Sequence, residues 1–357
     1  AVLKVIIGSS NKIILREEKD MKKLFIKCIL LLCIVFKLQA AEIKTIDKVA
    51  KDYQEAAYGF MIHNYTSDAD LEKIAKLGIP EIPAESKPET VLVKGTEEKI
   101  DIPLYIYRPK NSENKKLPVL YYSHGGGFLL RLALNNYQSY QSLADNLNAA
   151  VVVPKYRLST EAPFPAALED VYNGLIYLKE EGKKLNLDSD KIILMGDSAG
   201  GGLSASLALY NRDNANIKIL GQILIYPMLD SRTGSEDSLY NAPFTGEIAW
   251  NAQTNKFAWE KLRDNKKIST EMLPYFSPSQ AQNLKNLPPA FIYVGELDLF
   301  VNEDLDYANR LIQAGITTEF HLVPGLYHVF DLANPEAQQS KELWNKVYKA
   351  AAHMFNE

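Results

Sequence analysis

A chain that twice runs a short apolar segment straight into a cluster of glycines has few ways to fold. Here Leu117 to Tyr122 leads into His124-Gly125-Gly126-Gly127-Phe128, and Lys191 to Met195 leads into Gly196-Asp197-Ser198-Ala199-Gly200-Gly201. Each apolar run reads as a buried strand, and each glycine cluster as a turn in which a side chain would clash. The second turn has the G-x-S-x-G form, in which a sharp strand-to-helix bend lifts a serine hydroxyl above a sheet. The first has the form of a loop that offers backbone N–H donors to an oxyanion. A nucleophile beside a hole for the charge its attack creates implies a serine hydrolase.

Around these turns the pattern alternates. Strands are predicted at 91–93 and 100–107, joined by the turn at 95–98, and then at 117–122, 149–153, 191–195, 219–226, 290–294 and 318–323. Helices are predicted at 137–147, 165–181, 199–212, 303–314 and 336–354. Near-continuous apolar strands alternating with helices predict an α/β fold, a mostly parallel central sheet with helices on both faces. In such sheets the chemistry gathers at the carboxyl ends of the strands, where both glycine turns fall. The stretch from Pro227 to Pro288 is far longer than a strand–helix–strand crossover needs. With the helical segment from about Ile43 to Leu77, it is expected to form a helical cap drawn from about 41–88 and 230–285. It carries Tyr240, Phe244, Trp250, Phe257 and Trp259, one or two of which are expected to line an acyl pocket.

A serine hydroxyl needs an imidazole to take its proton, and the imidazole needs a carboxylate to orient it. On this kind of sheet the order along the chain is Ser, Asp/Glu, His. The strand at 290–294 ends in Gly295-Glu296-Leu297-Asp298, which makes Asp298 the expected acid. Glu303 and Asp304 read as charges at the N-terminus of the next helix. The strand at 318–323 runs into Pro324-Gly325-Leu326-Tyr327-His328, which makes His328 the expected base. Of the other histidines, His124 belongs to the oxyanion loop, His321 lies inside a strand, and His63 and His353 sit on helical segments.

Together these residues resemble the hormone-sensitive-lipase-like esterases of the α/β-hydrolase superfamily, from about Tyr105 to the C-terminus. The likeness includes Tyr156-Arg157-Leu158, Pro163-Phe164-Pro165-Ala166, Tyr226-Pro227-Met228-Leu229-Asp230 and Pro288-Pro289-Ala290-Phe291-Ile292. The resemblance implies Ser198 as nucleophile, Asp298 as acid, His328 as base, and the amides of Gly126, Gly127 and Ala199 as oxyanion donors. His124, Gly125, Gly196, Asp197 and Gly200 support the two motifs. It implies a carboxylesterase acting on short- to medium-chain esters, with no metal and no cofactor. An amidase, an arylformamidase or an esterase of acetylated carbohydrates could use the same triad, and a non-catalytic binding protein is a further alternative. Two positions depart from the family: Leu299 stands where the acid loop often has proline, and Val329 where glycine often follows the histidine, so Val329 is expected to narrow the pocket rim.

The start of the chain carries a different signal. Met21-Lys22-Lys23, an apolar core from Leu24 to Phe36 and Leu38-Gln39-Ala40 have the layout of a signal peptide over 21–40, cleaved after Ala40. Residues 1–20 read as a translated leader ahead of Met21, and 41–357 as the hydrolase domain. The expected location is therefore secreted or periplasmic. Cys28 and Cys33 both fall in the signal peptide, which leaves the rest without disulfides or thiolate ligands. Residues 1–40 hold eight Lys/Arg and three Asp/Glu, so of the chain's net −4 the remainder carries about −9. That acidity argues against nucleic acid and anionic membrane as partners. A small-molecule ester is the expected partner; a homodimer is compatible with the sequence.

Overall fold

The computed structural model describes residues 43–60, 65–77, 87–96, 101–113, 115–131 and 137–356; the leader and signal-peptide readings lie outside the described residues. Eight strands form one sheet: β1 Glu89–Lys94, β2 Asp101–Tyr107, β3 Leu117–Ser123, β4 Ala150–Pro154, β5 Leu187–Asp197, β6 Gly221–Ile225, β7 Ala290–Gly295 and β8 Thr318–Val323. Their order across the sheet is β1-β2-β4-β3-β5-β6-β7-β8. The β1–β2 and β2–β4 pairs are antiparallel, and every later pair is parallel. The mostly parallel sheet expected from the sequence is present, with each expected strand in place. β5 starts earlier than its apolar run suggests because Leu187 pairs with Leu117, across an irregularity before Val119.

Successive residues of a strand point to opposite faces, and here that alternation divides one sheet between two apolar layers. Val119, Tyr121, Val152, Ile192, Leu194, Leu224 and Ile292 face one layer. It is closed by Leu168, Val171, Leu175 and Leu178 of helix 166–181, Leu203 and Leu207 of helix 199–213, and Tyr307 and Leu311 of helix 301–313. Leu120, Tyr122, Val151, Val153, Ile193, Met195, Ile223 and Phe291 face the other. That layer is closed by Tyr140, Leu143 and Ala144 of helix 137–147 and by Leu343, Val347 and Ala351 of helix 338–356. β4, β6 and β7 are buried along their whole length, and burial on both faces explains why, Gln222 of β6 aside, they are nearly continuous apolar runs. β8, at the edge, is only partly covered.

Register sets the positions of the loops that follow. Ser123 of β3 pairs with Gly196 of β5, so the two glycine turns leave the sheet side by side. Gly295 of β7 pairs with Val323 of β8, which does the same for the loops carrying Asp298 and His328. The stretch between β6 and β7 is largely turns and bends, with helices at Ala252–Arg263 and Leu273–Phe276. Among the described residues, no helix is long and apolar enough to cross a membrane.

Candidate active site

The structure brings Ser198, His328 and Asp298 into one hydrogen-bonded chain. Ser198 Oγ lies 2.9 Å from His328 Nε2, and His328 Nδ1 lies 2.7 Å from Asp298 Oδ2. Asp298 Oδ1 accepts the Phe300 N–H at 3.0 Å, which fixes the carboxylate toward the ring. All three side chains are buried. An imidazole so held has Nδ1–H committed to the carboxylate, leaving Nε2 to take the hydroxyl proton.

Each of these positions follows from local structure. Ser198 sits at φ +53°, ψ −124°, the strained corner between β5 and helix 199–213. That corner is held by the Ser198 N–H donating to Ile225 O at 2.9 Å and by Ser198 O accepting the N–H of Gly202 and Met228. At Gly200 a Cβ would stand 2.0 Å from Ser123 O, so only glycine lets the helix come this close to the sheet. The ring of His328 is enclosed by Tyr226 at 4.8 Å and Phe300 at 5.1 Å between centroids, both edge-on.

Beside the serine lies the loop His124–Phe128. The backbone turns at Gly126 (φ +121°) and Gly127 (φ +63°). Among the described residues no acceptor is found for the N–H of Gly126, Gly127 or Ala199, so these amides are available to a charged oxygen. The loop is braced from three sides. Asp197 Oδ1 accepts both the Tyr122 hydroxyl at 2.7 Å and the Gly125 N–H at 3.2 Å, tying the serine turn to the glycine loop. The Tyr156 hydroxyl donates to His124 O at 2.6 Å, and its ring stacks on the imidazole at 4.4 Å. Ser159 donates through N–H and Oγ to Phe128 O. Arg157 anchors this bracing segment on the fully buried Asp170.

Electrostatics follow burial. His124 is enclosed, which lowers its pKa to about 4, and its Nδ1–H donates to Gly125 O at 2.6 Å. It is thus a neutral structural imidazole, not a second base. Burial raises the Asp197 carboxyl, opposed by its bonds from Tyr122 and Gly125 and by His328. Asp331 is likewise raised by burial, to about 6, and accepts the Tyr226 hydroxyl at 2.8 Å.

Glu303 and Asp304 fall in the first turn of helix 301–313, as expected, and both are buried. Glu303 Oε1 accepts the N–H groups of Leu229 and Asp230 at 2.6 and 3.1 Å, which holds the loop after β6 against this helix. Burial drives both carboxyls well up. Glu296, exposed, accepts the Gly325 N–H instead of facing the imidazole. His321 pairs with Glu319 on the edge strand. Val329, expected at the pocket rim, takes up a left-handed conformation (φ +54°) directly after His328 and packs on the core. Three further residues carried no sequence signal: Asp331, Tyr226 as a partner of the imidazole ring, and Asp197 as a tie between loops. Asp197 and Tyr122 are too far apart in sequence for spacing to join them. Among the described residues no group of three or more His, Cys, Asp or Glu is arranged to hold a metal ion.

Comparison with known proteins agrees with this geometry. Residues 120–332 match the alpha/beta hydrolase fold family. The chain is 30% identical over 236 residues to a protein of Acanthamoeba polyphaga mimivirus, spanning 64% of this chain and 65% of that one. It is 31% identical over 299 residues to the carboxylesterase NlhH of Mycobacterium tuberculosis, spanning 80% and 91% of the two chains. Among solved structures it is similar to the esterase LipW of Mycobacterium marinum, with TM-score 0.76, 27% identity and coverage of 90% of this chain and all of the other. The chain therefore belongs to the alpha/beta hydrolase fold family, and within it to the hormone-sensitive-lipase-like esterases.

Proposed function

We propose that this protein is a serine carboxylesterase that hydrolyses short- to medium-chain carboxylic esters through an acyl-Ser198 intermediate. The observation that carries the reading is the chain Ser198–His328–Asp298, set beside three amides for which no acceptor is found among the described residues. His328 takes the Ser198 proton as Oγ attacks the ester carbonyl. The oxyanion of the tetrahedral intermediate is received by the amides of Gly126, Gly127 and Ala199. The imidazolium, stabilised by Asp298, gives its proton to the departing alcohol, and His328 then activates water for deacylation. The carboxylesterase and esterase names of similar proteins support an ester as substrate.

The segments at about 41–88 and 230–285 act as the cap in this reading. Its support is a set of ties between them: the Ala249 N–H donates to Phe60 O at 3.1 Å, Glu247 accepts from Lys44 N and Thr45 N at 2.8 Å each, and Lys261 pairs with Asp68. With residues 21–40 read as a signal peptide, the enzyme works outside the cytoplasm. Hydrolysis of p-nitrophenyl esters from acetate to palmitate by the full chain tests the activity. Rates that peak at short or medium acyl chains and vanish in Ser198→Ala are expected. A folded protein that cleaves amides and no ester would overturn the reading.

A further inference from the structure

We propose that Trp250 is the wall of the leaving-alcohol pocket and sets how bulky an alcohol the site admits. This rests on the serine-esterase reading above. Of the seven aromatics in the long insertion, Tyr240 and Phe244 are exposed, while Phe257, Trp259, Tyr275 and Phe276 pack into the core layer. Trp250 is buried in the same layer, and it also reaches the glycine loop beside the serine. A Cβ at Gly127 would stand 2.2 Å from Trp250 Cη2, so the indole edge lies directly against the oxyanion loop. The same ring sits 6.4 Å from the His328 ring, tilted 44°.

The indole is fastened in place. Its Nε1–H donates to Asn255 Oδ1 at 3.0 Å, and Asn255 Nδ2 donates to Thr233 O at 2.8 Å. Ala249, just before it, is held at φ +69° while its N–H bonds Phe60 O. Gly246 donates to Leu297 O, next to the acid loop. Left-handed backbone at an alanine, held on both sides, aims one large side chain at one place.

Stereochemistry then assigns the side. In the tetrahedral intermediate the carbon bonded to Ser198 Oγ carries three other groups, which point into three sectors. The oxyanion points to Gly126, Gly127 and Ala199, and the alcohol oxygen points to His328 Nε2, which protonates it. A ring that lies against Gly127, with its centroid 6.4 Å from that of the His328 ring, borders those two sectors and stands across from the acyl chain. Trp250 therefore limits the alcohol and leaves the acyl chain free of it.

The test compares two substrate series in the wild type, Trp250→Ala and Trp250→Phe. One series keeps the acetyl group and changes the alcohol from ethyl to benzyl; the other keeps p-nitrophenol and lengthens the acyl chain. In Trp250→Ala the benzyl-to-ethyl ratio of kcat/KM is expected to rise by about tenfold or more, within the range that apolar pocket contacts discriminate. Trp250→Phe is expected to fall between, and the acyl-length profile to keep its shape. Circular dichroism checks folding, and Trp250→Phe carries the comparison where Trp250→Ala does not fold. An acyl profile that extends to longer chains with the alcohol ratio unchanged would overturn the proposal, as would no change in either series. A wild type inactive on every ester in both series would sink the esterase reading itself, a separate and recognisable outcome.

Discussion

Asp331 shows how much of this site depends on side chains that take no part in the reaction. It lies three residues past His328, buried, and its only described hydrogen-bond donor among side chains is the Tyr226 hydroxyl, whose ring presses edge-on against the imidazole. Burial, with Asp197 nearby, raises its carboxyl to about 6, against the pull of Tyr226 and His328. An acid raised in the fold favours the folded state below its unfolded pKa, near 4, and that advantage is lost as pH rises through about 6. Two units correspond to roughly 3 kcal/mol. Urea midpoints at pH 4 and pH 7 should therefore show the wild type losing more stability on going to pH 7 than Asp331→Asn does; parallel pH curves would refute this. None of it was legible in the sequence. Ser198, Asp298 and His328 could be picked out because each stands in a loop directly after an apolar strand and in a fixed order. Asp331, Asp197 and Trp250 act on residues far away along the chain, and no spacing encodes such meetings. The helix-start position of Glu303 and Asp304 was legible but their burial was not, since a first-turn acid reads alike whether solvated or buried.

At the scale of elements, strand and helix positions were readable because apolar runs of buried parallel strands contrast sharply with amphipathic helices. The ends were less so. β5 extends back to Leu187 through pairing with Leu117, a long-range contact that adds nothing to the apolar run itself. The glycines of helix 199–213 matter at this scale too. At Gly200 a methyl would stand 2.0 Å from Ser123 O and 2.5 Å from His124 O, both backbone atoms that cannot swing aside. Gly200→Ala must push the helix from the sheet or shift the oxyanion loop. A loss at or beyond the upper end of the ~1–3 kcal/mol typical of overpacking is expected, read as a lowered urea midpoint, together with loss of esterase activity. A midpoint equal to wild type would mean that the helix and sheet approach less closely than described here.

For the whole molecule, the sheet order does the assembling. Placing β5 beside β3, and β8 beside β7, brings four loops from distant parts of the chain to one edge of the sheet. The insertion between β6 and β7 meets two of these loops, Trp250 against Gly127 and the Gly246 N–H on Leu297 O, and is tied to the N-terminal segment through Glu247, Phe60 and Thr254. The alternation of strands and helices predicted the layers; the path of the insertion was not predictable, because its turns and bends are fixed by contacts with the body. In the proposed reaction, what the assembly achieves chemically is a serine that becomes acylated. The most direct test mixes the full chain with p-nitrophenyl acetate, quenches in acid within the first turnover, and maps the modified peptide by mass spectrometry. One acetyl group on Ser198 in the wild type, and none in Ser198→Ala, is the predicted result. Ester hydrolysis that continues undiminished in Ser198→Ala, with no acetyl group on Ser198 of the wild type, would contradict the account.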